Sequence, residues 1–295
     1  MHRRAILIFL LSASLFGVMA FTAKIATARI PGAQVAMVRF AIGLVPVLIS
    51  PSIRRAAVRF QRLDLLFYRG FFGGIAVLLY FTAIEHIPVG LATLLNYTAP
   101  VFSGFFAAQF IGEPVRGRVL LPLVVAFSGI VLVVRAHATP GELFAFGPWE
   151  ALGLASAVCS GAAVTAIRIA RRSESSWSIF ASFSLFGLLA TAPVAVWQWR
   201  SPSARDWMLL IAIGLISIAA QLFMTHAFRW VDTLTGGVIA QFAVIVSMVL
   251  GAVWLGERMT PLSAIGSALT IGGIVAVMAV SSRPVRTGFE EAAEQ

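Results

Sequence analysis

The chain has 295 residues, of which 59% are hydrophobic and 12% charged, and it carries a formal net charge of +10. A soluble domain usually holds about 25% charged residues, so a water-soluble globule is excluded. The basic residues are scattered between apolar runs and form no patch with interleaved aromatics, which argues against a nucleic-acid partner and for a role in membrane orientation.

Charges, Pro and Gly divide the sequence into ten apolar spans: 5–24, 33–50, 66–85, 89–111, 118–135, 149–168, 177–197, 207–228, 234–255 and 262–281. Most approach the roughly 20 residues that a helix needs to cross a bilayer. The first follows Arg3 and Arg4 and ends near small residues, a pattern shared with cleaved signal peptides. Its match to 149–168 through an internal repeat favours an integral helix instead. A β-barrel would need strands of about ten residues with alternating polarity, whereas Val119–Val134 is apolar almost throughout. Cys159 is the sole cysteine, so no intramolecular disulfide forms. It reads as a small packed hydrophobe.

The repeat has a fixed offset of 144 residues. It maps Gly17 onto Gly161, Lys24-Ile25-Ala26 onto Arg168-Ile169-Ala170, Gly112-Glu113 onto Gly256-Glu257, and Gly129-Ile130-Val131 onto Gly273-Ile274-Val275. The expected architecture is all-α integral membrane, with ten transmembrane helices as two inverted five-helix repeats. The repeats span 1–135 and 149–281, joined through 136–148 and followed by a short cytoplasmic tail, 282–295. Five crossings per half is odd, so the second half is inverted, as in many secondary transporters. Fifteen of the 22 Lys and Arg fall on the side of the termini, with Arg54–Arg62 the densest cluster. The positive-inside rule then makes both termini cytoplasmic in a bacterial inner membrane.

Arg39 is the sharpest candidate for function, because it lies within an apolar span. On a lipid face it would cost about 2.5–3.5 kcal/mol at the helix centre. It either faces the bundle interior as an anion-binding or gating cation, or snorkels to the headgroups. Asn96-Tyr97-Thr98-Ala99-Pro100 predicts a loosened turn with freed carbonyls, a polar notch at depth. Tyr80, Gln109, Gln221 and Gln241 add polar groups within spans, and Gln241 falls close to the projection of Asn96 through the repeat. Glu113 and Glu257 each follow a glycine at the end of a span, and fit either proton coupling or a structural cap or gate. Glu85 and His86 close the third span, and His226 is a weaker titratable candidate. The small residues of Gly70–Gly74 and of Gly153, Ala157 and Gly161 let helices approach closely. Packing within the bundle is their default use and a homodimer the alternative. HExxH, Gly-x-Ser-x-Gly, metal-spaced Cys/His and Walker patterns are missing, so no enzyme, metal or cofactor is expected.

The chain resembles the EamA-type branch of the drug/metabolite transporter superfamily. The resemblance rests on Pro31 with Arg39, on Tyr80-Phe81-Thr82-Ala83-Ile84 before Pro88, and on Pro100 and Gly112-Glu113. Gly129, Gly256-Glu257 and Gly272-Gly273 complete it. It implies ten helices in inverted halves around a central cavity, and transport of a small organic metabolite by alternating access. Arg39, Tyr80, Asn96, Tyr97, Pro100 and Gln241 would line the substrate path. Glu85, Glu113 and Glu257 would couple or gate. The halves are not equivalent, since Phe183 stands where Arg39 maps and Val244 where Pro100 does. Amino-acid-like export and riboflavin-type uptake both remain open. A non-transporting membrane scaffold is the alternative from another class.

Overall fold

A computed structural model of the chain describes residues 2–111, 120–136, 146–170, 173–227 and 239–281. Regular structure among these residues is helical. The helices are α1 (His2–Thr27), α2 (Gly32–Ile49), α3 (Pro51–Ala57), α4 (Leu63–His86), α5 (Val89–Asn96), α6 (Ala99–Ile111), α7 (Leu120–Ala136), α8 (Pro148–Ala170), α9 (Ser176–Trp197), α10 (Ala204–Ala227), α11 (Phe242–Leu255) and α12 (Pro261–Ser281). Among the described residues, seven segments are long and apolar enough to cross a membrane: six single helices and the α5–α6 pair over Val89–Phe106. α7, α11 and Pro261–Val277 of α12 are shorter and apolar. Helices suit this solvent because each satisfies its own backbone, which lipid cannot do.

Helix ends are set by local chemistry. Ser175 accepts from Ser178 N–H at 2.9 Å and starts α9. Ser203 and Asp206 form a reciprocal pair at the start of α10: Ser203 N–H donates to Asp206 Oδ2 at 2.9 Å, and Asp206 N–H to Ser203 Oγ at 3.3 Å. That is a capping box, which satisfies two free N–H groups at once. The basic linker after the second span contains a helix the sequence reading did not anticipate, α3, with Ser50 and Pro51 at its start and Arg54 and Arg55 in its last turn. Cations there complement the helix dipole.

The most extensive helix pairs are α4 with α8, α7 with α12, α1 with α10, α4 with α9 and α2 with α9. α6 also packs on α8, and α1 on α11. Exchanging α1 with α8, α2 with α9, α4 with α10, α6 with α11 and α7 with α12 maps this set onto pairs that are all in contact. The agreement reaches single residues. A Cβ on Gly17 would meet Val246 and the Ala243 carbonyl, and one on Gly161 would meet Phe102 and the Ala99 carbonyl. Those partners are also 144 apart. Thr270 Oγ1, whose hydroxyl reaches the Gly266 carbonyl at 2.9 Å, also lies 3.3 Å from the carbonyl oxygen of its own counterpart, Ala126.

Small residues make these approaches possible. Gly70 and Gly74 seat α4 on Ser182, Phe186 and Gly187 of α9, and Gly153 seats α8 on Leu95 of α5. Outside, large apolar side chains face away from the protein, among them Leu48, Leu121, Val124, Met208, Val253 and Trp254. An apolar exterior of this extent belongs against lipid, with Trp near the interfaces.

The α7–α12 seam is held by glycines from both helices, Gly129, Gly266 and Gly273. A Cβ on Gly129 would lie 2.5 Å from the Gly266 carbonyl oxygen and 2.6 Å from the Thr270 backbone nitrogen, neither of which can swing aside. Gly129→Leu is therefore expected to lower stability by about 1–3 kcal/mol, the usual scale of overpacking. A Cβ on Gly104 would meet nothing within 4 Å. Gly104→Leu should leave the unfolding midpoint of the detergent-purified protein unchanged or raised, when both are read by thermal unfolding.

Candidate functional site

A cavity of about 160 Å³ lies between α1, α2, α4, the α5–α6 break, α8, α9 and α10. Its polar lining includes Arg39, Arg69, Tyr80, Asn96, Tyr97 and Gln221, and its apolar walls include Phe16, Phe81 and Phe183. Both halves of the chain contribute.

Arg39 points into the bundle and is 5% exposed, so it does not snorkel. Its Nε donates to Ser217 Oγ of α10 at 2.5 Å. Its guanidinium carbon lies 5.3 Å from the Phe40 ring centre and 5.6 Å from that of Phe183. These rings supply cation–π stabilisation but no carboxylate. Arg69 is 6% exposed and stacks on the same Phe183 ring, at 3.9 Å. Nη1 of Arg39 and Nε of Arg69 are buried without a hydrogen-bond partner. Among the described residues, no Asp or Glu lines the cavity.

The sequence reading missed Arg69, counting it with the basic residues of the cytoplasmic side. Its signal was the spacing Arg69, Gly73, Ala76, Tyr80, one face of α4. All four residues line the cavity.

Tyr80 Oη lies 2.8 Å from Thr93 Oγ1. The Thr93 hydroxyl already donates to the Val89 carbonyl at 2.7 Å, so Tyr80 is the donor and its oxygen lone pairs stay available. Asn96 ends α5 and donates from Nδ2 to Ser156 Oγ at 2.8 Å. The helix breaks at Tyr97 and Thr98, and α6 begins at Ala99. Pro100 sits in the first turn of α6, where a missing N–H is tolerated, and lies outside the lining. Gln241 is not in the lining either. Its Nε2 donates to the freed Tyr97 carbonyl at 3.2 Å, bracing the break from the other half. Gln221 joins the cavity, while Gln109 lies on the exterior of α6.

The two described glutamates of the gating set stand apart from the cavity, at helix starts. Glu85 Oε2 accepts from Gly32 N–H at 2.7 Å, at the first residue of α2. Glu257 Oε1 accepts from Val89 N–H at 2.7 Å, at the first residue of α5. Carboxylates at helix N-termini satisfy free donors and oppose the dipole. Gly256 explains the motif: its φ of 66° closes α11 in a left-handed turn, and Glu257 N–H returns to the Gly251 carbonyl at 3.1 Å. The glycine makes the turn and the glutamate bridges to the other half. Glu113 lies outside the described residues.

The same end of the bundle carries further ties. Lys24 Nζ donates to the Ile84 and Ile87 carbonyls at 2.7 and 2.8 Å, covering the C-terminus of α4. Gln34 exchanges two hydrogen bonds with the Arg200 backbone, at 2.9 and 3.0 Å. His86 stacks on Trp149 with ring centres 3.6 Å apart. The cavity extends the other way along α4, towards Arg69.

The EamA-like transporter family matches the chain twice, over residues 3–135 and 147–279. The pseudopaline exporter CntI of Pseudomonas aeruginosa (strain UCBPP-PA14) is 31% identical over 281 residues, 94% of each chain. A riboflavin transporter of Brucella anthropi is 24% identical over 273 residues, 88% of this chain and 92% of its own. A protein of known crystal structure superimposes with a TM-score of 0.63 over 95% of this chain and 98% of its own, at 22% identity, a likeness of fold. The chain belongs to the EamA-like transporter family, and it is a membrane transporter of small molecules rather than an enzyme.

Proposed function

We propose that the protein is a secondary carrier that moves a small organic metabolite, amino-acid-like in size, across the bacterial inner membrane by alternating access. The observation that carries this reading is the cavity shared by both halves, in which two buried guanidinium groups keep unpartnered N–H donors. A charge buried without a partner is costly, and an anionic substrate supplies one. Arg39 and Arg69 bind the anion in this reading. Tyr80, Tyr97 and Asn96 orient the rest of the molecule, and the aromatic walls exclude water.

Ten crossings in two inverted halves, 1–135 and 149–281, with both termini cytoplasmic, form the proposed frame. The exchange of helix pairs under the 144-residue offset supports it, as does the double family match. In that frame the Lys24, Glu85 and Glu257 ties close the outer face and the cavity opens inward. Glu257 and Glu85 are then latches, which release Val89 and Gly32 when the halves rock.

A vitamin substrate is the second reading, favoured by the relative named as a riboflavin transporter. Pockets for drug-sized ligands hold about 300–1,000 Å³, well above the 160 Å³ here. A flavin would need the halves to part further, so the smaller metabolite is preferred.

Flux is tested in both directions in expressing cells, with labelled amino acids, nucleosides, polyamines and riboflavin. Saturable flux of one compound is expected in the wild type. Arg39→Ala should reduce it to background while surface expression is retained. Unchanged flux in the variant would remove Arg39 from the site, and no flux for any compound would return the scaffold reading. Glu257→Ala leaves two N–H groups of α5 without their acceptor. It should lower the unfolding free energy by about 2 kcal/mol and slow flux without changing which compound is carried.

A further inference from the structure

We propose that the carried compound bears two carboxylate groups, one for each cavity arginine; this rests on the carrier reading above. Both guanidinium groups lie against a single ring, with Cζ of Arg39 at 5.6 Å and Cζ of Arg69 at 3.9 Å from the Phe183 centre. They therefore lie within the reach of one short-chain diacid. Two like charges in a poorly polarisable interior repel each other, and each needs desolvated compensation.

Protein does not supply that compensation among the described residues. Arg29 pairs with Asp206 and Arg62 with Asp64, while neither cavity arginine forms an ion pair with a described residue. The ring faces of Phe40, Phe81 and Phe183 and the Ser217 hydroxyl are what Arg39 has instead. Arg69 has the Phe183 face. A monocarboxylate would pair one arginine and leave the other exposed to the same repulsion and the same unsatisfied donor. A diacid neutralises both, with the Phe183 ring as a wall shared by its two binding groups. Tyr80, Asn96, Tyr97 and Gln221 remain for a hydroxyl, amide or amine on the connecting chain.

The test uses the full-length protein in detergent and reads its thermal unfolding midpoint. The probes are the straight-chain diacids from malonate to suberate, each beside its own monomethyl ester, together with sulfate. Expected is an optimum chain length at which the diacid stabilises the wild type at concentrations about ten-fold or more below those its monoester requires. Arg39→Gln and Arg69→Gln should each bring the diacid down to the level of the monoester. The wild-type comparison decides the matter even where a variant fails to fold. If no diacid exceeds its monoester, or sulfate matches the best diacid, the proposal is overturned.

Counterflow of the labelled best diacid in proteoliposomes separates the two readings. Preferential binding without counterflow would keep the paired-charge site and remove the carrier function. Flux of a monoanion or a neutral compound, with no diacid preference, would keep the carrier and remove this proposal.

Discussion

A polar backbone group without a partner is costly inside a bilayer, several kcal/mol for each. That constraint governs how this bundle is interrupted. The described breaks are met by side chains from distant parts of the chain: Gln241 at the Tyr97 carbonyl, Glu257 at the start of α5, Lys24 at the end of α4 and Glu85 at the start of α2. Each of these four side chains acts where a helix starts, ends or breaks. Interrupting a helix in the apolar layer thus ties it to a second helix, so the breaks become the joints of the molecule.

The cavity follows from the same economy. Gly73 and Ala76 keep the α4 face low between Arg69 and Tyr80, which leaves room for two guanidinium groups. Aromatic rings hold those groups through their quadrupoles without neutralising them. An acidic side chain in the same place would have stabilised the empty protein and competed with an anionic substrate. The arginines without a carboxylate are a stability cost, and in the carrier reading proposed above that cost is kept for binding, the usual relation between a stable interior and a working one.

Much of this was legible in the sequence. Hydropathy gave the membrane class and the helical character, because an uninterrupted apolar run has few other uses. The 144-residue offset pointed to a duplication through Gly17, Gly129 and the Gly-Glu pair, and the family match falls in two stretches, 3–135 and 147–279. Arg39 stood out because its charge is deep in an apolar run. Arg69 did not, because it lies close to the start of its span and next to a basic cluster, where a headgroup contact is the common use of arginine. Pro100 signalled a break, but the break falls just before it, since proline is tolerated within the first turn of a helix. The reach of Glu257 to Val89, 168 residues away, depends on tertiary packing that no local pattern encodes.

Several counterparts under the offset touch each other directly. Arg39 faces Phe183, Tyr97 accepts from Gln241, and the Thr270 hydroxyl lies against the Ala126 carbonyl. Two separate identical five-helix chains meeting on a two-fold axis would have to oppose like with like at such places: arginine to arginine, or phenylalanine to phenylalanine. Joining both copies in one polypeptide lifts that restriction. Donor can face acceptor, and cation can face ring, at the very centre of the molecule. The polarity of this cavity is thus something two identical chains could not encode, and a ligand held there need have no symmetry of its own.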